Sequence, residues 1–157
     1  MAEGIDKVKE ALLEILEFTQ SEKLWNRIGL AQERNIKKRT TRGIDLLGNV
    51  FKPYNEKYAR RKYRETGINA HVVNLIFNPI NGMMDSIDHK VLEGNAGVEI
   101  FFTNEQKNRL AEIHHALGAG KSKVIRKFWG VNKDDDDSFK QILTDEIDLI
   151  LEKFSEE

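Results

Sequence analysis

Apolar residues recur at helical spacing at both ends of the chain. Ile5, Val8, Leu12, Ile15, Leu16 and Phe18 mark an amphipathic helix over residues 4–19. Behind Ser21, a residue suited to accept a free N–H at a helix start, Leu24, Trp25, Ile28, Ala31 and Ile36 repeat the pattern. The break between the two is short, which predicts an α-hairpin. Towards the C-terminus Phe139, Ile142, Leu143, Ile147, Ile150, Leu151 and Phe154 line a last helix, capped by Asp136, Asp137 or Ser138. In the middle the period changes. Val98, Ile100 and Phe102 alternate with Gly97, Glu99 and Phe101, and this run pairs with Ser86–Leu92 across Glu93–Ala96. Asn104 caps a helix to Leu117, with Leu110, Ile113 and Leu117 inward, and Gly118-Ala119-Gly120 ends it.

Residues 54–65 predict a short basic helix with Tyr54, Tyr58, Arg61 and Lys62 near one face, stopped by Thr66-Gly67. A β-branched run, Val72–Phe77, follows and ends at Asn78-Pro79 and Asn81-Gly82. The order is α-α-loop-α-β-β-α-α, with helices segregated from a small antiparallel sheet, so the class is α+β. The expected organisation is one domain over 1–157: a helical hairpin over 1–38, then a core over 40–154. Residues 40–53 and 118–134 read as long loops poor in core residues, expected to order only against neighbouring molecules.

Composition narrows the picture. Hydrophobic residues are 39% of the 157 and charged residues 32%, which predicts a modest core with large solvated or partner-facing surfaces. The absence of cysteine excludes a disulfide scaffold, a Cys-ligated zinc and a thiol nucleophile. No apolar run approaches the about 20 residues of a membrane helix. The N-terminus is polar and acidic, without a signal-peptide pattern, so the reading is a soluble intracellular product without membrane contact.

The net charge of −1 conceals an asymmetry. From Arg34 to Arg64 eleven Lys and Arg face two acids, giving +9; from Asp134 to Glu157 ten acids face two lysines, giving −8. That pattern suits polyanion contact or head-to-tail pairing between copies, and two solvated faces of opposite sign would produce it as well. Lys37, Lys38, Arg39, Arg42, Arg60, Arg61 and Arg64, interleaved with tyrosines, are candidates for an interface or a DNA-facing channel. Asp134, Asp135, Asp136 and Asp137 are the acidic interface candidates. Phe128 and Trp129 form an aromatic pair suited to core anchoring or to an interface hot spot.

Three motifs invite chemistry and fall short. Gly118–Ser122 matches the end of a phosphate loop, but the required first glycine falls at His115 and a helix, not a strand, precedes it. His114 and His115 are adjacent, whereas a helical zinc pair needs i, i+4 spacing. One of them is expected to pack and the other to face solvent or a partner. The Asp134–Asp137 run lacks the glycine of a calcium loop and suits the positive end of a helix. No catalytic constellation stands out, so the expectation is no enzyme, no metal and no cofactor.

An ordered series of segments is more specific. It runs from Gly43–Gly48 through Phe51-Lys-Pro-Tyr-Asn-Glu-Lys-Tyr-Ala-Arg-Arg-Lys62, Val73-Asn-Leu75 and Asn81-Gly-Met-Met-Asp-Ser-Ile87. It continues through Val98-Glu-Ile-Phe-Phe102, Ala111-Glu-Ile-His-His115 and Arg126-Lys-Phe-Trp-Gly-Val131. Over residues 40–154 this resembles the phage virion morphogenesis family of tail-completion, or head–tail joining, proteins. The chain departs at Ile125, where the family often has proline, and at Asn81-Gly82, where it has Thr-Gly. The resemblance implies a structural protein of a tailed phage that completes the tail at the neck as a ring of identical subunits, commonly a hexamer. Tail-tube or terminator subunits and neck (connector) proteins are the implied partners. The implied location is the virion, after assembly in the host cytoplasm, with packaged DNA as a non-specific contact. The runner-up is a basic nucleic-acid-binding module of phage or bacterial origin. A third reading is a small metal-dependent enzyme using His114, His115 and the Asp run.

Overall fold

A computed structural model describes residues 2–67, 75, 82–121 and 123–155. It is α+β, with five α-helices and one two-stranded antiparallel sheet among the described residues. The chain divides into two compact units, Met1–Ala31 with His89–Glu99 and Lys133–Glu157, and Gln32–Asp88 with Ile100–Asn132. The division falls inside a helix and inside the hairpin.

The first unit holds α1 (Ala2–Thr19), the start of α2 (Glu22–Thr41) and α5 (Lys133–Ser155). Ser21 makes the turn from α1 to α2. Its hydroxyl donates to the Phe18 carbonyl at 2.6 Å and accepts from the Leu24 N–H at 3.2 Å, serving the end of one helix and the start of the next. Phe18, Leu24, Ile28 and Ile150 form the core, with Ile15, Trp25, Phe139, Ile142, Leu143 and Phe154 packed around it. Glu146 ties α5 to α2, accepting from Lys23 and Arg27 at 2.6 Å each.

The expected apolar face of α1 is corrected. Ile5, Val8, Leu12 and Leu16 are more than half exposed, and the row that packs is Ala11, Ile15 and Phe18. Two apolar rows run along this helix, and the one through Ala11 is the one that is buried. α5 also starts earlier than expected, at Lys133, so the aspartates lie in its first turns rather than ahead of it, and Leu151 is 48% exposed. Acids there oppose the positive end of the helix dipole.

The second unit holds the rest of α2, α3 (Glu56–Thr66) and α4 (Glu105–Glu112). Its core is Ile36, Phe51, Leu75, Met83, Met84, Ile87, Ala111 and Phe128, with Tyr54, Ile100, Phe102 and Trp129 against it. β1 (Ile87–Val91) and β2 (Val98–Phe102) form the hairpin. Bonds from Leu92 N–H to the Gly97 carbonyl at 2.9 Å and from Thr103 N–H to the Ser86 carbonyl at 2.8 Å close its two ends. Asn104 caps α4 as expected, accepting from Gln106 and Lys107 N–H. α4 then widens into a π-helical turn, Ile113–Leu117. Within α4 Ala111 is the buried residue and Leu110 is exposed, and the wider turn after it leaves Leu117 exposed as well. Val72–Phe77 lies outside the described residues apart from Leu75, which is buried with φ 52°.

The two long loops are not poor in core residues. Phe51 and Phe128 are buried, Phe128 completely. The loops also bond to each other and to α2 within this unit. Leu46 N–H donates to the Lys127 carbonyl at 2.6 Å, and Phe51 N–H to the Gly43 carbonyl at 2.8 Å. Gln32 Nε2 reaches the Gly130 carbonyl at 2.8 Å. These contacts come from the chain itself, which removes the physical ground for expecting order only against neighbours. No helix among the described residues is long and apolar enough to cross a membrane.

Candidate functional site

A groove of about 1240 Å³ opens in the second unit, between α3 and the segment from Leu110 to Arg126. Local chemistry fixes its wall. Asn55 accepts from Lys57 N–H at 3.0 Å to start α3, and Gly67, at φ 67°, returns its N–H to the Tyr63 carbonyl to end it. Helical spacing then places Lys57, Arg60, Arg61 and Arg64 on one face. The opposite wall turns sharply at Gly118, where a Cβ would lie 2.6 Å from the Lys123 carbonyl carbon, and an isolated bridge joins Ala119 to Val124. That turn brings Lys121 and Arg126 to the groove.

The floor is a cation–aromatic cluster. Arg126 is 5% exposed, donates from Nη2 to the Lys52 carbonyl at 3.2 Å, and sends its backbone N–H to the His114 carbonyl at 2.7 Å. Its guanidinium lies 5.1 Å from the centre of the Tyr54 ring. The ammonium of Lys62, also buried, lies 4.7 Å from that centre and donates to the Tyr54 hydroxyl at 3.3 Å. Tyr58 meets Tyr54 edge-on at 5.0 Å. Among the described residues Arg126 Nε and His114 Nδ1 are buried without a hydrogen-bond partner.

Charge is expensive here. Burial, helped by Arg126, pushes Lys62 down to about 8. Burial, then Arg126 and Lys62, pushes His114 down to about 4, so that it is neutral at neutral pH. Burial, then Tyr58, pushes the Tyr54 phenol up to about 12 against the pull of Arg126. Among the described residues the lining carries Lys57, Arg60, Arg61, Arg64, Lys121 and Arg126 against the single acid Glu56. Such a surface holds oxyanions: carboxylates, or the phosphates of a nucleic acid.

Several candidate residues fall elsewhere. Arg39 is buried, and its Nε and Nη2 donate to the Phe128 carbonyl at 3.2 Å, with Nη2 reaching Gly130 at 2.6 Å. It is a structural strut rather than an interface or channel residue. Phe128 is 0% exposed, and Trp129 stacks on Phe102 at 4.7 Å, so this pair anchors the core instead of offering a hot spot. Lys37 pairs with Glu33 at 3.4 Å, and Lys38 and Arg42 are exposed away from the groove lining. Arg60 pairs with Glu56, and Arg61 lies 3.9 Å from Glu65. Asp135 is 2% exposed, which removes it from the acidic surface; Asp134 is exposed, and Asp136 and Asp137 share Lys140 at 2.6 and 3.8 Å.

Of the two histidines, His115 packs edge-on to Phe128 and accepts from Trp129 N–H at 3.3 Å, while His114 lines the groove. Tyr54 and Arg126 in the groove lining, and Lys62 against the Tyr54 ring, are not among the candidates that charge and spacing single out. All three stand in the segments that carry the family resemblance, and Tyr54 and Lys62 also fall near one face of the expected basic helix. Comparison with protein-family models, with curated proteins and with solved structures gives no match.

Proposed function

We propose that this chain is a structural virion assembly protein that completes a phage tail and joins it to the head at the neck. It acts as a ring of identical subunits, a hexamer, against tail-tube or terminator and neck proteins, without turnover or cofactor. One observation supports this most. The segments that carry the resemblance are spread from residue 43 to 131, yet Phe51, Met83, Met84, Ile87, Ala111 and Phe128 meet in one core. Tyr54 and Arg126 from the same segments meet in the groove lining, with Lys62 against the Tyr54 ring. The segments therefore belong to one packed unit, as a shared fold requires. Electron microscopy of a lysate whose gene carries an early stop codon tests the reading. Filled heads beside unattached or ragged tails are expected, and intact infectious particles would refute it.

The cationic groove favours a second reading, a nucleic-acid-binding module. Its signature is DNA affinity that falls steeply with salt in a protein that never enters a particle.

A further inference from the structure

We infer that the groove along α3 is the socket for the acidic face of α5 from a second copy of this chain, a head-to-tail contact. This rests on the ring reading above and names the surfaces that would close it. Lys57, Arg60, Arg61 and Arg64 stand at i, i+3, i+4 and i+7 on α3, all exposed and all lining the groove. On α5, Asp134, Asp137, Asp145, Asp148 and Glu152 fall within one face of the helix, all exposed, over about 27 Å at 1.5 Å per residue. Asp145, Asp148 and Glu152 repeat the i, i+3, i+7 spacing of Lys57, Arg60 and Arg64. Two helices laid side by side with that shared spacing match charge to charge over two turns.

Both faces keep charge in hand. Among the described residues Lys57 and Arg64 have no acidic partner, and Asp148 and Glu152 have no cationic one. At the floor, Arg126 keeps a buried Nε without an acceptor, a standing cost that an incoming carboxylate would relieve. A nucleic acid offers oxyanions too, but the chain itself carries a complementary anion of matching pitch, and each groove and each acidic face belong to the same repeating subunit. A contact between two different faces of identical subunits propagates and closes into a ring when the rotation permits.

Sedimentation velocity of the full chain tests this. The wild type is expected to associate at about 50 mM salt and to dissociate at about 1 M, since exposed charges are screened within a few ångström there. R60E/R61E/R64E and D145K/D148K/E152K, two variants altered in different units, are each expected to weaken association at least about tenfold while keeping the wild-type circular dichroism. An equimolar mixture of the two should reassemble, because every groove then meets a face of opposite sign. A wild type that stays monomeric at every concentration would overturn the contact. So would association unchanged in both variants, or a groove variant that loses single-stranded DNA binding with association intact. None of these results bears on the stop-codon lysate, so the contact and the assembly role fail separately.

Discussion

Arg126 and Tyr54 hold each other in place at the floor of the groove: the guanidinium lies 5.1 Å from the ring centre, with Lys62 4.7 Å from the same ring. Two cations over one ring are tolerable because the aromatic face is electron-rich and the Lys62 ammonium also donates to the phenol oxygen. Tyr54→Phe keeps the ring and removes the acceptor, and should cost about 1 kcal/mol in urea unfolding. Tyr54→Leu removes the ring from both cations and should cost about 2–4 kcal/mol. Equal losses for the two variants would show that the ring carries no cation.

Lys62 gives this cluster an alkaline signature. Its pKa is about 8 in the folded chain against an ordinary 10.5, so between those values the unfolded chain holds a proton that the folded chain has released. Stability therefore rises as pH goes from 8 towards 10.5, and is lost as pH falls back. Tyr54, pushed up to about 12, opposes the trend only above its ordinary 10.0. Thermal unfolding should show a melting temperature that climbs between pH 8 and 10, and Lys62→Met should flatten that climb. A climb of equal slope in the variant would assign it elsewhere.

His114 acts at the other end of the scale. Its folded pKa of about 4 lies below the ordinary 6.5, so the unfolded chain takes up a proton first as the solution is acidified. The contribution of the neutral ring is complete above pH 6.5 and is lost on going down to 4. At about 1.4 kcal/mol per pH unit the loss amounts to at most about 3.5 kcal/mol. Comparing the pH dependence of urea unfolding in the wild type and in His114→Gln isolates it from the carboxylates. Parallel curves from pH 4 to 6.5 would show that His114 is not held neutral.

What could be read from residues alone was local. Ser21, Asn104 and Gly67 end or start helices through their own side chains or backbone freedom, and all three stand where the pattern puts them. Spacing failed where two solutions fit. On α1 the rows through Leu12 and through Ala11 are both helical, and only the packing partner selects between them. It failed again after α4, where a π-helical turn breaks the period that made Leu117 look buried. Charge counting found the basic stretch but treated its members alike. Arg39 and Lys62 are as basic as Arg64, yet Arg39 serves loop carbonyls and Lys62 sits over a ring, contacts formed with residues distant in sequence. The groove joins residues 54, 114 and 126, with Lys62 against the Tyr54 ring, and no local pattern links them.

Gly29 shows how close packing constrains a residue that helix propensity alone would replace. It lies inside α2, where alanine would normally gain about 1 kcal/mol. A Cβ at Gly29, however, would come within 2.5 Å of His89 Cγ and closer still to Cδ2, on the β1 strand of the same unit. The imidazole is a rigid ring with two torsions, so it escapes only by leaving its rotamer or by pushing the hairpin from the helix. Gly29→Ala should therefore destabilise by about 1–3 kcal/mol, the usual cost of overpacking, despite the better helix former. His89→Ala removes the obstacle, and adding Gly29→Ala to it should then recover the helical gain. The coupling in the double-mutant cycle should accordingly be at least about 2 kcal/mol, well above the few tenths seen for sites that do not touch. Additive effects would mean that the His89 ring does not lie over Gly29 in solution.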